Sequence, residues 1–434
     1  MQSQTPSLFM STVALYNLGC SKNIIDGERI LFLFRSAGFE ITRNYEIADI
    51  IVVNTCAFIR EAQEEAIDTI LEAASKKKNG HCQKLIISGC FSERYRQQVA
   101  EQFPEVDLWV GVNDWQEILL GLYKHIKPST FKRELSGLHA TQYLKIAEGC
   151  SHGCTFCVIP DIRGKFHSRQ HNEIIDEAKW LYQSGVKELI LVAQDTSFFG
   201  RDTGSTLRAL LEELLEKTEF PWIRCMYLHP RYVDDNLLNL IAKESRLCSY
   251  FDIPLQHISE PILRSMNRTP LTKDIYGLIE RIRTIVPGAA IRSSFILGFP
   301  GETNAHFKEL LNFIEFARFD KLGVFPFSAE QGTKAFELRP RPRIATAVKR
   351  CEELMLVQRE ISREILESRI GSELEVIIDD VSDDPDFNFE ARSQFDAPEV
   401  DGKVLLTSGS FTPGTVSLVK IIGASDYDLF AETI

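Results

Sequence analysis

Three short apolar runs open the chain, Val13 to Cys20, Ile50 to Cys56 and Lys84 to Cys90, and each ends on a cysteine. They read as strands, and the segments between them repeat their apolar positions at helical spacing. Ile25 to Ala37 stops before Gly38, and Phe58 to Lys78 carries Ile59, Ala62, Ala66, Ile70 and Ala73 at that spacing. This alternation predicts an open parallel α/β sheet flanked by helices, with Asp107 to Val112 as a further strand. In such sheets ligands sit beyond the carboxyl ends of the strands, where Cys20, Cys56 and Cys90 all fall.

From Gln142 onward six more β-like runs alternate with helical stretches: Tyr143 to Ala147, Glu188 to Ala193, Trp222 to Leu228, Tyr250 to Leu255, Ala290 to Leu297 and Lys321 to Pro326. Asn172 to Ser184, Leu207 to Lys217 and Phe307 to Ala317 are helical patterns between them. The pattern predicts a partial, TIM-like (β/α)6 barrel, with its active site at the carboxyl ends of the strands. Those ends carry the loop at Cys150, Gln194-Asp195-Thr196, His229-Pro230, Gln256-His257, the turn Gly298 to Glu302 and Ser328. After a helix-like stretch, Ala345 to Glu367, short runs follow at Leu374 to Ile378, Val404 to Thr407, Thr415 to Ile422 and Asp428 to Phe430. Turn residues separate them, which predicts a small antiparallel β-barrel. The chain reads as an α/β protein of three domains, residues 1–130, 136–366 and 367–434.

Six of the ten cysteines form two sets of three. Cys150, Cys154 and Cys157 stand as C-x3-C-x2-C in a loop marked by Gly149, Gly153 and Pro160. Three thiolates this close can bind three irons of a 4Fe-4S cube and leave the fourth iron without a protein ligand. A structural zinc would instead need a fourth ligand, for which His152 and His167 are the nearby candidates; the alternative for His152 is a solvated loop residue. Cys20, Cys56 and Cys90 follow turn-prone or polar pairs, Leu18-Gly19, Asn54-Thr55 and Ser88-Gly89. The thiols therefore belong to exposed strand ends and not to strand middles, where a cysteine would act as a small hydrophobe. They predict a second 4Fe-4S cluster, also with one iron free. Cys82, Cys225, Cys248 and Cys351 fit no ligand spacing.

Charge refines the picture of the C-terminal region. The chain carries a net −12, and residues 371–434 hold fourteen Asp or Glu against only Arg392, Lys403 and Lys420, or −11. Such a surface repels a phosphate backbone and suits a basic protein, or serves only solubility. The first twenty residues lack the basic start and long apolar core of a secretory signal, and no apolar run approaches the roughly 20 residues that span a bilayer. A cytoplasmic protein without a membrane partner is expected, with its cysteines as ligands and core thiols and not as disulfides.

The stretch Gly149 to Gly164, GCSHGCTFCVIPDIRG, with Phe156 just before the last cysteine, resembles the signature of the radical S-adenosylmethionine enzymes. That resemblance implies a cluster that splits S-adenosylmethionine into a 5′-deoxyadenosyl radical, the protein positioning the reactants and excluding water. A cosubstrate with ribose hydroxyls, an adenine and a charged amino acid needs hydrogen-bonding groups and close backbone approach, so Gln194, Asp195, Gly298 and Glu302 are the candidate cofactor-binding residues. Each has a plainer alternative: Asp195 as an N-cap, Gly298 to Glu302 as a helix-starting turn, and His229 and His257 nearby as satisfied core-edge histidines.

With LGCSKNIIDGE around Cys20, VNTCAFI around Cys56, SGC at Cys90, VAQDTSFFGRD around Asp195 and a tail similar to a TRAM domain, the whole chain resembles the methylthiotransferase family. The closest likeness is to the branch that modifies an aspartate of ribosomal protein S-twelve. The tRNA-modifying relatives typically have Asn where Asp195 stands; Ser21 and Gly27 replace a usual Pro and Ser. The resemblance implies two 4Fe-4S clusters, S-adenosylmethionine, an electron donor and a basic protein of the small ribosomal subunit as substrate, with tRNA unexpected. A tRNA adenosine methylthiotransferase and a non-catalytic iron-sulfur protein are the alternatives.

Overall fold

A computed structural model describes residues 11–114, 117–118, 132–138 and 140–434, so the expected domain end at residue 130 lies outside the described residues. The chain divides into two compact units, one drawing on Met1–Ser136 and Val158–Gly164, the other on Gly137–Cys157 and Lys165–Ile434.

In the first unit β1 (Thr12–Asn17), β2 (Glu40–Ile41), β3 (Ile50–Thr55), β4 (Lys84–Gly89) and β5 (Leu108–Trp109) form a parallel sheet in the order β2-β1-β3-β4-β5. Successive side chains alternate between its faces. Val13, Ile50, Val52 and Ile86 pack with Ile30 and Phe34 of α1 (Ser21–Ser36), and Ala14, Ile51, Val53, Leu85 and Ile87 with Ala66, Ile70 and Ala73 of α2 (Arg60–Asn79). Burial on both faces explains why these sequence runs are apolar throughout. A Cβ on Gly27, in the middle of α1, would lie 2.5 Å from Asn17 Oδ1 and 2.9 Å from Leu15 Cδ2, so a serine there requires those two side-chain ends to shift. α3 (Cys90–Val99) starts on the third cysteine, and the short α4 (Ile159–Arg163) completes the unit.

The second unit holds β6 (Thr141–Lys145), the short pair β7 (Ala147–Glu148) and β8 (His167–Ser168), then β9 (Glu188–Val192), β10 (Trp222–Cys225), β11 (Tyr250–Asp252), β12 (Ala290–Leu297) and β13 (Lys321–Pro326). β6-β9-β10 and β11-β12-β13 are parallel sheets, joined by backbone bonds from Ile223 N to Arg246 O (2.7 Å) and Leu228 N to Asp252 O (2.8 Å). The result is the six-stranded partial barrel. Helices such as α5 (His171–Gln183), α6 (Leu207–Lys217), α7 (Asp235–Lys243), α8 (Glu260–Ser265), α9 (Thr272–Ile285) and α10 (Asn304–Ala317) flank it, each of the longer ones burying one stripe, as with Leu207, Leu210, Leu211 and Leu214 of α6. α11 (Lys334–Glu337) and α12 (Ile344–Glu367) lead to the C-terminal module. Among the described residues no helix is long and apolar enough to cross a membrane.

The module is a closed barrel of β14 (Glu373–Val381), β15 (Phe389–Ser393), β16 (Val404–Leu406), β17 (Val416–Ala424) and β18 (Leu429–Thr433), in the order β14-β15-β16-β18-β17. All pairs are antiparallel except β16 with β18. β15 is absent from the sequence reading because its run, FEARS, buries a charge. Arg392 is 3 % exposed and bonds Glu188 (2.9 Å), Thr141 (2.9 Å) and both oxygens of Asp379 (2.6 and 3.0 Å).

The module seats on the amino ends of the barrel strands. Thr141 and Glu188, which begin β6 and β9, meet Arg392; Trp222, which begins β10, bonds Glu375 (3.3 Å); Tyr250, which begins β11, bonds Asp401 (2.6 Å); and Lys321, which begins β13, bonds Asp396 (2.7 Å). Asp401 also lies 3.4 Å from Arg292 of β12, and Asp426 pairs with Arg363 of α12 at 2.5 Å. Thus Asp379, Asp396, Asp401 and Asp426 are engaged internally, and the charge open to a partner is smaller than the sequence count. Asp380, Asp383, Asp384 and Asp386 are exposed.

Candidate functional site

Cys20, Cys56 and Cys90 lie one after another beyond the carboxyl ends of β1, β3 and β4. Cys20 is the N-cap of α1 and Cys90 the first residue of α3, so two of the thiols sit at helix amino ends, where free N–H groups favour a thiolate. Gly19 makes the convergence possible. Its φ is +90°, and a Cβ there would lie 2.7 Å from Cys56 Cβ and 3.0 Å from its sulfur. The polar pairs beneath are tied together: Asn54 bonds Asn17 (2.6 Å) and the carbonyl of Asn23 (2.8 Å), and Asn23 bonds the carbonyls of Leu18 (2.8 Å) and Thr55 (2.9 Å).

A cation completes this site. Arg163 reaches the sulfur of Cys90 (3.5 Å), Asn23 (2.5 Å) and Asp26 (3.2 Å). Burial pushes the Cys90 thiol up to about 11, against the pull of Arg163, and burial likewise raises Cys56; Cys90 and Cys56 also feel the charge of Cys20, as groups in close proximity do. Cys20 goes the other way: burial acts to raise its pKa, but Lys22, Arg163 and the backbone N–H groups of Asn23 and Lys22 outweigh it and hold the thiol below its ordinary value. Three sulfur donors among cations and helix amino ends suit an anionic iron-sulfur cluster.

The second set lies in the loop after β7, pinned on several sides. Thr155 N donates to Met266 O (3.0 Å), Thr155 accepts through its carbonyl from Ala335 N (2.8 Å), and Asn267 donates to Gly153 O (2.9 Å). Arg268 lies 3.8 Å from the Cys154 sulfur, and Phe156 packs edge-on to Phe299 of the Gly298–Glu302 turn. Burial raises the Cys150 thiol. His152 is not a free loop residue. Its Nε2 is 2.5 Å from Asp195 Oδ2 and its ring stacks 4.2 Å from that of His229. That nitrogen is committed to a carboxylate, and His167 is exposed with its ring toward its own loop, so neither completes a tetrahedron with the cysteines.

The four candidate cosubstrate residues divide into two pairs. Gln194 and Asp195 follow β9 beside this loop. Gln194 Nε2 donates to Glu148 (2.7 Å), while its Oε1 is buried without a partner among the described residues. Asp195 caps the turn at Thr196–Phe198, accepting from Phe198 N (3.1 Å) and Ser197 Oγ (2.6 Å), and holds His152 with its other oxygen. It is thus an N-cap that also positions His152 of the cysteine loop. Gly298 and Glu302 follow β12. Gly298 has φ +79° and would place a Cβ 2.4 Å from Ala347 Cβ, so only glycine fits. Its N–H donates to Glu302 Oε2 (2.8 Å), while Arg350 holds Oε1. Burial raises the Glu302 pKa against these donors, and both of its oxygens are engaged, one by the turn's own backbone and one by Arg350 of α12.

His229 and His257 are buried and neutral. Burial, then the charges of Arg268, His152 and Arg231, pushes His229 far below its ordinary value; burial, then His306 and Arg350, takes His257 down to about 3. Sequence reasoning weighed His152 only as a zinc ligand or a solvated loop residue, and missed Arg163 and Arg268 as parts of the sites. Arg163 stands within the cysteine-bearing motif, where a cation close to thiolates was a usable signal; Arg268 comes from a distant loop and had none.

Three family models match: Uncharacterized protein family UPF0004 over residues 12–111, the Radical SAM superfamily over 144–314 and the TRAM domain over 370–434. A protein of Geotalea uraniireducens (strain Rf4) named ribosomal protein uS12 methylthiotransferase RimO is 40% identical over 97% of this chain and 98% of its own. One of the same name from Syntrophus aciditrophicus (strain SB) is 42% identical over 98% of each. Among solved structures, the radical S-adenosylmethionine methyltransferase TsrM from Kitasatospora setae, with cobalamin and a [4Fe-4S] cluster bound, is 14% identical with a TM-score of 0.52, covering 87% of this chain and 81% of that one. At that identity the likeness is one of fold.

Proposed function

We propose that this chain, which belongs to the RimO family of radical S-adenosylmethionine methylthiotransferases, inserts a methylthio group at the β-carbon of an aspartate in ribosomal protein uS12. The observation that carries the reading is the pair of three-thiol sites, each built at strand carboxyl ends and each short of a fourth cysteine, which fits two 4Fe-4S clusters with one open iron apiece. Cys150, Cys154 and Cys157 would hold a cluster that supplies the electron for cleaving S-adenosylmethionine, and Cys20, Cys56 and Cys90 one that supplies sulfur. An electron donor is therefore a required partner, and the cytoplasm the expected setting.

The chain's own side chains do the positioning. Arg163 and Lys22 offset the negative charge of the first thiol set, and Arg268 that of the second. Asp195 fixes the cysteine loop through His152, and the orphaned Oε1 of Gln194 is an acceptor for a donor on the cosubstrate. The Gly298–Glu302 turn at the end of β12 is fixed by the Gly298 N–H bond to Glu302 and by Ala347 packed against Gly298. Activation of an unactivated C–H bond by a radical needs no general base, in keeping with a site whose buried histidines are held neutral by their surroundings.

Mass spectrometry of small-subunit proteins from cells lacking this chain tests the reading. Loss of one methylthio mass from uS12 and its return on complementation is the expected result. An unchanged uS12 together with loss of a methylthio group from tRNA would overturn it in favour of an RNA substrate.

A further inference from the structure

A cavity of about 330 Å3 opens beside the cysteine loop of the second unit, and its lining is unusual in composition. Its walls are rings: His152 on His229 at 4.2 Å, Phe198 against Tyr232 at 5.1 Å, and Phe166 against Phe198 at 4.9 Å. Asn267, which holds the loop through Gly153 O, contributes an amide to the lining. Asp195, buried beside the cavity, already accepts from Ser197 Oγ and Phe198 N and faces His152; with His152 and His229 it brings three potential ligand atoms within 4.8 Å of one another. The one guanidinium lining the cavity belongs to the exposed Arg231, which has no acid or hydrogen-bond partner for its side chain among the described residues and lies 5.9 Å from the centre of the Tyr232 ring; its backbone N–H donates to His229 Nδ1 at 3.3 Å. Arg201 stacks on the Tyr232 ring at 4.6 Å and adds a second positive charge behind the wall. A cavity walled by rings, with a guanidinium and no carboxylate among its lining residues, suits a small anionic side chain.

We propose that Arg231 receives the side-chain carboxylate of the target aspartate in this cavity. The inference rests on the proposed function and adds the means of recognition. In an aspartate the carboxyl carbon is bonded directly to Cβ, so a guanidinium that fixes the carboxylate also fixes the carbon from which hydrogen is taken, and the ring walls keep water from that carbon. Arginine suits the task because its planar fork engages both carboxylate oxygens at once.

The test is a two-by-two cycle with the full chain, reconstituted anaerobically with iron and sulfide. Wild type and Arg231→Ala are each given purified uS12 and uS12 with its target Asp replaced by Asn, and binding, methylthio product and the apparent KM for S-adenosylmethionine are measured. Loss of a charged hydrogen-bonded contact weakens binding by roughly tenfold to a hundredfold. Each single change should do so, and the double change should be no worse than either, with Arg231→Lys recovering part of the loss on the Asp substrate only. Effects that multiply, or a shift confined to the KM for S-adenosylmethionine, would overturn the assignment. Should Arg231→Ala fail to load its clusters, Arg231→Lys with the two substrates carries the same cycle. If wild type makes no product on native uS12, the proposed function itself fails; if it does and the cycle is multiplicative, only this inference does.

Discussion

Replacing Arg392 by Met should cost this protein more stability than any surface charge could. Arg392 makes four side-chain bonds from β15 to Glu188, Thr141 and Asp379, and Glu188 is fully buried. Removing one member of a buried pair costs about 3–5 kcal/mol, because a charge is left without its partner. Two facts place the value near the lower end. Glu188 keeps Arg224 Nε at 2.7 Å, and the Asp379 pKa is already raised by burial against the pull of Arg392, so that carboxylate can take a proton. A loss of about 3 kcal/mol corresponds to a fall of roughly 5–10 °C in Tm for a unit of this size. Calorimetry of the cluster-free protein measures it. The double variant Arg392→Met, Asp379→Leu should recover part of the loss, since replacing both partners by apolar groups removes the unpaired charge. A Tm change below about 2 °C, the scale of an exposed pair worth under 1 kcal/mol, would refute the claim that this network holds the module to the barrel.

Further outcomes follow from the two thiol sets and the surfaces around them. Cys154→Ala should abolish S-adenosylmethionine cleavage, whereas Cys56→Ala should spare cleavage, stop methylthio transfer and lower bound iron from about eight to about four per chain, read by iron assay and product analysis. The neutral His257, pushed down to about 3 from its ordinary value, contributes stability that is full above the unfolded histidine pKa near 6.5 and is lost as pH falls toward about 3; His257→Gln should flatten the pH dependence of Tm across that window. Neutralising the exposed Asp380, Asp383, Asp384 and Asp386 together should weaken uS12 binding and reduce its salt dependence, since exposed charges are screened beyond about 10 Å at 0.1 M salt. Binding that ignores salt would remove those charges from recognition.

The parts legible in the sequence were those dictated by periodicity and spacing. The parallel strands of both units followed from apolar runs ended by cysteine or polar pairs, and the six-stranded barrel from alternation alone. What escaped was set by contacts across long distances in the chain. β15 reads as polar because Arg392 is buried by partners 204 and 251 residues away, in β9 and β6. His152 looked solvated because Asp195 and His229, which hold it, arrive from the ends of other strands. The charge count of the tail was correct as arithmetic but counted Asp396 and Asp401 as surface groups, whereas Lys321 and Arg292 claim them.

The seating of the C-terminal barrel on the amino ends of the strands makes it a poor interchangeable part. A chain cut after Gly371 would strip Arg224 of its bond to Gln394 O, Arg292 of Asp401, Lys321 of Asp396 and Glu188 of Arg392, leaving Arg224 to Glu188 and Arg292 to Asp252. A graft from a relative would have to bring its own matching acids at the places of Asp396 and Asp401, or the acceptor barrel would have to change in step. Drift in the module's outward face is free of that constraint, so that face can diverge while the face turned to the strands stays locked to its host.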